Sequence, residues 1–599
     1  MSRANADFRA RADAFLDYVI DHADNPAATR WGDYRCFDGY TLAHFARRRE
    51  IAGGWALFRD TLDMIDRNFA AEDADPNDKW HLADFAFHAL FRTCLLHRDA
   101  GLEQDDADAR TFARFEAQTR AFRWHFGDLT ENHNLLHSAG RYLATDRIGA
   151  IRFRDGRDDR AHHAQAREEL LRWFDKWLRR GSSEWGADIY YNINLLALLN
   201  LYDFSPEQDM REGARTLLDH FLLDEAIDSF AGAMVGSARR SYSCYRLDAR
   251  ANPSSPLHHL YFGHGAFNLH FIGAVILACT SAYRVPDPIV AIAQSPARPF
   301  EVRSHHVEGL FRNGPFPRRE SDPPYSPLLG RHTWRADFGM ISTMDSAGGR
   351  ARYTEQVFQA TLGPRALVFV NHPSAGISSD GVARPNDLQP HYETLAPFDP
   401  ARPVERLWVL GNAPPGEEGD RRPGFWQGNQ DGPRSYGAGR FAIVIYRLGE
   451  DAQFPYVHAY FPKFAFEETT QLDHWCVGRL GHAFIALWAS VPGRFATQGI
   501  WRDIELRFDG PTVGFVCMIG TADDDASLRA QLQAHRPAWD ASRLQIDLPR
   551  PGHSSLQVAY DRDPVRPSPP ARLDTPWGVL PMGQTRFMLR HPAGEHPMG

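Results

Sequence analysis

Apolar residues recur at three- and four-residue intervals through 8–22, 40–69, 79–98, 108–125, 134–146, 164–179, 190–203, 209–223 and 262–283. That spacing gives a helix one buried face. The connectors carry turn and cap chemistry, as in Ala74-Asp75-Pro76-Asn77-Asp78 and Asp203-Phe204-Ser205-Pro206-Glu207. Nine or more helices in pairs over residues 1–285 predict an α/α toroid or an irregular helical bundle, without a strict solenoid repeat. Prolines then cluster from Pro286 to Pro327, which predicts a linker over 286–330. Beyond it the period changes. Short β-rich runs at 366–370, 406–410, 441–446, 483–488 and 512–517 are punctuated by Gly, Pro and Asp. With one excursion helix over 520–536, they predict an antiparallel β-sandwich spanning 331–599. The expected fold is therefore multidomain α and β, with helices first and strands second.

Composition narrows the function classes. At 599 residues the chain is too long for a single core, which agrees with two domains. A formal charge of −9 argues against general nucleic-acid binding, which needs a basic face. Lys79, Lys176 and Lys463 are the only lysines; every other side-chain cation outside the histidines is a guanidinium, suited to carboxylate or sulfate. The six cysteines lack any C-x-x-C spacing, so neither a disulfide framework nor a thiolate zinc site is expected. No apolar run approaches the ~18 residues of a membrane span. The first residues carry no apolar leader, so the chain is expected to be soluble: cytoplasmic as written, periplasmic or secreted if a leader has been removed.

Two polar clusters stand out against this background. Glu131-Asn132-His133-Asn134 through His137 places an acid, amides and imidazoles at the start of a helical run. About fifty residues on, Ser182-Ser183-Glu184-Trp185-Gly186-Ala187-Asp188-Ile189-Tyr190-Tyr191-Asn192 has the same character. Buried polar groups are costly when unsatisfied, so such helix ends are expected to face a ligand. In β-elimination of a uronate, the C5 proton becomes acidic when donors neutralise the neighbouring carboxylate. Asn132 and His133 supply an amide and an imidazole for this. Tyr190 and Tyr191 offer hydroxyls as base or acid, with Tyr242 a third, and Arg239 and Arg240 supply positive charge. The plainer alternatives are an N-cap for Asn132 and a satisfied buried imidazole for His133.

Glu131 and Glu184 allow another chemistry, the acid–base pair of an inverting glycoside hydrolase. Helix-dipole stabilisation or orientation of His133 and the arginines are their alternatives. The remaining histidines show no compact ligand spacing, so no metal ligands are assigned, and a structural Zn or Ca ion is left open. His372 ends a predicted strand and can reach over the cleft. Trp185 and Trp426 can stack on sugar faces, the latter in the loop Arg422-Pro423-Gly424-Phe425-Trp426-Gln427-Gly428-Asn429.

A helical domain bearing an Asn-His pair and a downstream Tyr cluster, followed by a β domain, resembles the heparinase II/III-like and alginate-lyase-like polysaccharide lyases. The resemblance implies that Asn132 and His133 neutralise the substrate carboxylate, that a Tyr acts as acid or base, and that a further His comes from another segment. The run from Glu184 to Asn192 is similar to the family's stretch of Glu, small residues and Tyr. A Tyr-His pair common there is Tyr190-Tyr191-Asn192 here. By the same analogy, toroidal glycosidases and phosphorylases place their β-sandwich before the helices, whereas here it follows. The expected activity is β-elimination of a uronic-acid-containing glycan, with an acidic polysaccharide as partner and no organic cofactor. Hydrolysis by Glu131 and Glu184, or binding of an acidic glycan without turnover, are the alternatives.

Overall fold

The structure is a computed structural model. It describes residues 3–21, 33–47, 83–96, 131–147, 156–241, 243–268, 272–294, 296–307, 328–346, 355–373, 423–450, 452–499, 501–562 and 570–599. The protein is mixed α and β, with helices leading and antiparallel sheets following. The longer helices are α1 (Phe8–Asp21), α2 (Asp33–Arg47), α3 (Ala83–Leu96), α4 (Glu131–Arg147), α5 (Asp159–Arg180), α6 (Asp188–Phe204), α7 (Gln208–Ile227), α8 (Ser254–Phe262), α9 (Ile272–Thr280), α10 (Asp287–Ala293) and α11 (Asp525–Ala534). The predicted helix over 108–125 and the strand over 406–410 lie outside the described residues.

Helix α5 shows how local sequence sets these bounds. The Asp158 side chain accepts the Ala161 N–H at 2.9 Å and caps the start. Arg179 and Arg180 face the negative end of the dipole, and Gly181 closes the helix at φ 78°. Its buried face is His162, Ala166, Leu170, Trp173, Phe174 and Trp177, the spacing of a single stripe. Helix α6 differs: apart from Tyr190 it is buried on every side from Asp188 to Leu201, because α4, α7 and α9 all pack on it. Of the predicted helix over 262–283, only Ile272–Thr280 is a helix among the described residues, and Phe262 is the last residue of α8. Gly263, at φ 79°, caps α8, and a Cβ on Gly265 would sit 2.2 Å from the Ser255 carbonyl oxygen.

The strands form two main antiparallel sheets. The larger runs, in spatial order, Arg494–Phe495, Glu505–Asp509, Tyr456–Tyr460, Leu367–Asn371, Phe358–Thr361, Met340–Asp345, Leu328–Arg335, Phe300–Val307, Ala571–Thr575 and Gly578–Pro581. The six-stranded sheet runs Glu468–Leu472, Trp475–Leu480, Ala483–Ala489, Thr512–Thr521, Phe441–Arg447 and Arg434–Ala438. Alternation along the strands orders the layers. Leu367 and Phe369 join the helical core, whereas Val368 and Val370 join Val444, Ile485 and Phe515 between the sheets. Ile443 and Ile445 face the far side, under Leu528 and Leu532 of α11 and a three-stranded sheet contributing Ile546 and Val558. The central strands of both sheets are therefore buried on both faces, which explains their continuous apolar runs.

The proline-rich stretch is more than a connector. Within it, Asp287–Ala293 is helix and Phe300–Val307 pairs in register with Leu328–Arg335. Arg335, 3% exposed, donates to the carbonyls of Ala226, Ile292, Ala293 and Gln294 at 2.7–3.0 Å. One sheet residue thus satisfies the orphan carbonyls ending α7 and α10.

Candidate functional site

Helix α4 is buried from Glu131 to Thr145 although its first turns are polar. Glu131 explains part of this. Its Oε1 accepts the Ser182 hydroxyl at 3.0 Å, and its Oε2 accepts the Ser183 N–H at 2.5 Å and hydroxyl at 2.6 Å. Its backbone carbonyl takes the Trp173 indole N–H at 3.0 Å. The carboxylate therefore clamps the connector between α5 and α6 onto the start of α4. Burial pushes the Glu131 carboxyl up to about 7; the serine bonds oppose this and the charge of Glu184 adds to it. Lys176 on α5 is within electrostatic reach of Glu131. Burial, with the charge of Arg180, lowers its ammonium to about 8.

Asn132 is the next residue and is 1% exposed. Neither its Oδ1 nor its Nδ2 has a hydrogen-bond partner among the described residues. An amide so placed costs free energy unless something outside the fold binds it. His133 and His137 follow one turn apart on α4, both buried.

The connector clamped by Glu131 leads to the second group. Glu184 Oε1 accepts Arg240 Nη1 at 2.9 Å, and the guanidinium lies over the Tyr190 ring, 4.4 Å from its centroid. Tyr190 is partly exposed, on the first turn of α6. Arg239 donates its backbone N–H to the Trp185 carbonyl at 2.9 Å and pairs through its side chain with Glu355. Ala238 and Gln356 form a backbone bridge beside that pair. The segment carrying Arg240 is thus held by the β-rich part.

The structure therefore links Glu131 to the connector that carries Glu184, and Glu184 through Arg240 to Tyr190, with Arg239 next in the chain; Asn132, His133 and His137 are buried on the same helix as Glu131. It separates four other expected residues from them. Tyr191 is wholly buried, donates to Asp224 Oδ2 at 3.1 Å, and is raised well above the usual phenol range by burial and that carboxylate. A phenol so held does not serve as a base. Trp185 is 1% exposed and stacks on His306 with centroids 5.5 Å apart, so it fills core rather than offering a sugar platform. Trp426 lies flat on His458 at 4.0 Å inside an aromatic cluster with Phe425 and Trp501. His372 is fully buried, its Nε2 bonded to the Phe454 carbonyl at 2.9 Å and its Nδ1 to the Asp431 N–H at 3.0 Å. Both nitrogens are used, so its role is structural. Tyr242 lies outside the described residues.

Two residues nearby have no role assigned from the sequence, although Asp188 lies within the second polar cluster. Lys176 looks like any surface lysine on a helical stripe. Asp188, buried at the start of α6, accepts Asn252 Nδ2 at 3.0 Å, and burial raises it to about 6 against the charge of Arg246. It braces the turn that presents Tyr190. Among the described residues no group of three or more His, Cys, Asp or Glu is arranged to hold a metal ion. None of the described helices is long and apolar enough to cross a membrane. Against known proteins, no family model matches the chain and no curated protein sequence matches it.

Proposed function

We propose that the protein is a polysaccharide lyase that cleaves a uronic-acid-containing glycan by β-elimination, built as an α/α toroid followed by an antiparallel β-sandwich. The observation that carries this reading is the buried Asn132 amide, without a hydrogen-bond partner among the described residues, next in sequence to the Glu131–Ser183 clamp, whose connector leads to Glu184, Arg240 and Tyr190. In the proposed reaction the Asn132 amide and the His133 imidazole hydrogen-bond the substrate carboxylate and stabilise the charge that develops when C5 loses its proton. Tyr190, as phenolate, takes that proton. The C5 electron pair forms the C4=C5 double bond, the C4–O bond breaks, and the leaving oxygen receives a proton from the same phenol. Arg240 places positive charge against the ring that carries the negative charge, and Glu184 fixes Arg240 there. No organic cofactor is needed.

Incubation with alginate, glucuronan, heparin and chondroitin tests this. The unsaturated product absorbs in the ultraviolet, and absorbance must appear with at least one substrate and vanish in Tyr190→Phe. Release of saturated sugars alone rejects elimination. One observation favours a second reading: a carboxyl raised to about 7 suits a general acid, so Glu131 with Glu184 as base would give hydrolysis. The three serine bonds to Glu131 speak for a clamp instead. Glu184→Gln abolishes saturated-product release only under hydrolysis.

A further inference from the structure

Where the larger sheet meets α5 and α7, several buried hydrogen-bond donors have no acceptor among the described residues. Arg572, on strand Ala571–Thr575, is 1% exposed and lies over the Trp177 ring, 5.1 Å from its centroid. Its Nε and Nη1 are buried, and its guanidinium has no hydrogen bond or ion pair among the described residues. Next to it the Trp177 indole Nε1 and His220 Nε2 are also buried without hydrogen-bond partners among the described residues, their rings 5.9 Å apart. Indole and guanidinium nitrogens only donate, and the guanidinium brings a buried positive charge to the seam. His220 does not share it: burial and the charge of Arg572 lower the imidazole to about 3, keeping it neutral.

The carboxylates of this region are engaged elsewhere. Asp228 pairs with Arg331 and accepts the Thr333 hydroxyl at 2.7 Å. Asp224 takes the Tyr191 hydroxyl, and Asp219 takes Tyr283, Arg215 and His596. The close approach of Arg572 is built in. Gly181, at φ 78°, lies under it, and a Cβ there would sit 2.8 Å from Arg572 Nε and 2.5 Å from His306 Nδ1. A buried cation without a counter-charge is among the costliest arrangements in a fold.

We propose that this seam binds a small inorganic anion, a halide or compact oxyanion, held by Arg572 with the Trp177 indole N–H and His220. The anion neutralises the guanidinium and ties the strand-rich part to α5 and α7. This inference is independent of the lyase reading.

The test is thermal unfolding of the full-length protein at fixed ionic strength, with gluconate exchanged stepwise for chloride or for sulfate. Constant ionic strength removes general screening. A bound anion raises Tm in proportion to the logarithm of its concentration once above Kd. The larger response between chloride and sulfate identifies halide or oxyanion. Arg572→Met abolishes the response and Arg572→Lys weakens it. Should Arg572→Met not fold, Trp177→Phe, which keeps an aromatic ring and removes one donor, shifts the response to higher anion concentration. A wild-type Tm indifferent to the anion, or an undiminished response in Arg572→Met or Trp177→Phe, overturns the proposal.

Discussion

Replacing Asn132 by Leu separates function from stability at one position. The amide is buried and neither polar atom has a partner among the described residues, which therefore carry its desolvation without returning a hydrogen bond. That cost is about 1–3 kcal/mol for a neutral polar group. Leucine has nearly the same shape, removes the polar atoms and is a better helix former. The variant is expected to be more stable than wild type by about 1–3 kcal/mol, a gain paired with lost activity, as when a binding group is traded for packing. Turnover should fall ~10²–10³-fold, the loss typical when one donor to a developing oxyanion is removed. Chemical denaturation followed by circular dichroism gives the first quantity, and ultraviolet absorbance of the unsaturated product gives the second. A variant destabilised by more than about 1 kcal/mol would mean that the amide is satisfied within the fold. Turnover within tenfold of wild type would mean that it does not touch the carboxylate.

Tyr190→Phe should reduce turnover ~10²–10⁴-fold with little change in stability. Tyr191→Phe should do the reverse, costing ~1–3 kcal/mol through the lost bond to Asp224; equal effects in paired activity and denaturation measurements would refute the assignment. Arg335→Met removes four bonds to helix-end carbonyls and should destabilise the protein by ~3–5 kcal/mol; a urea midpoint close to wild type refutes the staple. Glu131 predicts a pH effect. Its folded value, about 7, lies above its ordinary 4.5, so between those values the folded state holds the extra proton and its contribution to stability falls as pH rises, by on the order of 3 kcal/mol. Glu131→Gln should flatten that part of the profile, and an unchanged slope refutes it.

Much of the layout was legible because it is periodic. The run 164–179 lies within α5 and 209–223 within α7, and the strands predicted at 441–446, 483–488 and 512–517 each lie within an observed one. Periodicity is blind to close backbone approach, which is why it misses the turn at Gly263 and Gly265 inside the expected helix over 262–283. At the site, the sequence shows an excess of polar residues at two helix starts. It does not show their partners, because Glu131 with Ser183 and Arg240 with Tyr190 are tertiary pairs. Tyr190 and Tyr191 illustrate the limit. Adjacent helical residues point about 100° apart, so the two rings cannot share one environment, and only packing decides which is buried. The same holds for Trp426, which packs flat on His458, and for His372, whose nitrogens bond Phe454 and Asp431, all distant in sequence.

The layering also bears on whether the helical part can work alone. Phe300, Val302, Leu367, Phe369, Tyr460, Leu573 and Leu580, all from the larger sheet, are buried in the helical core. Burying one such side chain contributes roughly 1.5–3 kcal/mol, so together they contribute on the order of 10 kcal/mol. That matches the whole stability of an ordinary domain. Removing the sheet also strips Arg335 from the ends of α7 and α10 and Glu355 from Arg239, next to the arginine that lies on Tyr190. A fragment of residues 1–298 should therefore fail to unfold cooperatively and show no turnover, whereas adding the separately produced strand-rich part should restore some of both. A fragment that melts cooperatively with wild-type activity would mean that the sheet only covers the helices and plays no part in setting the site.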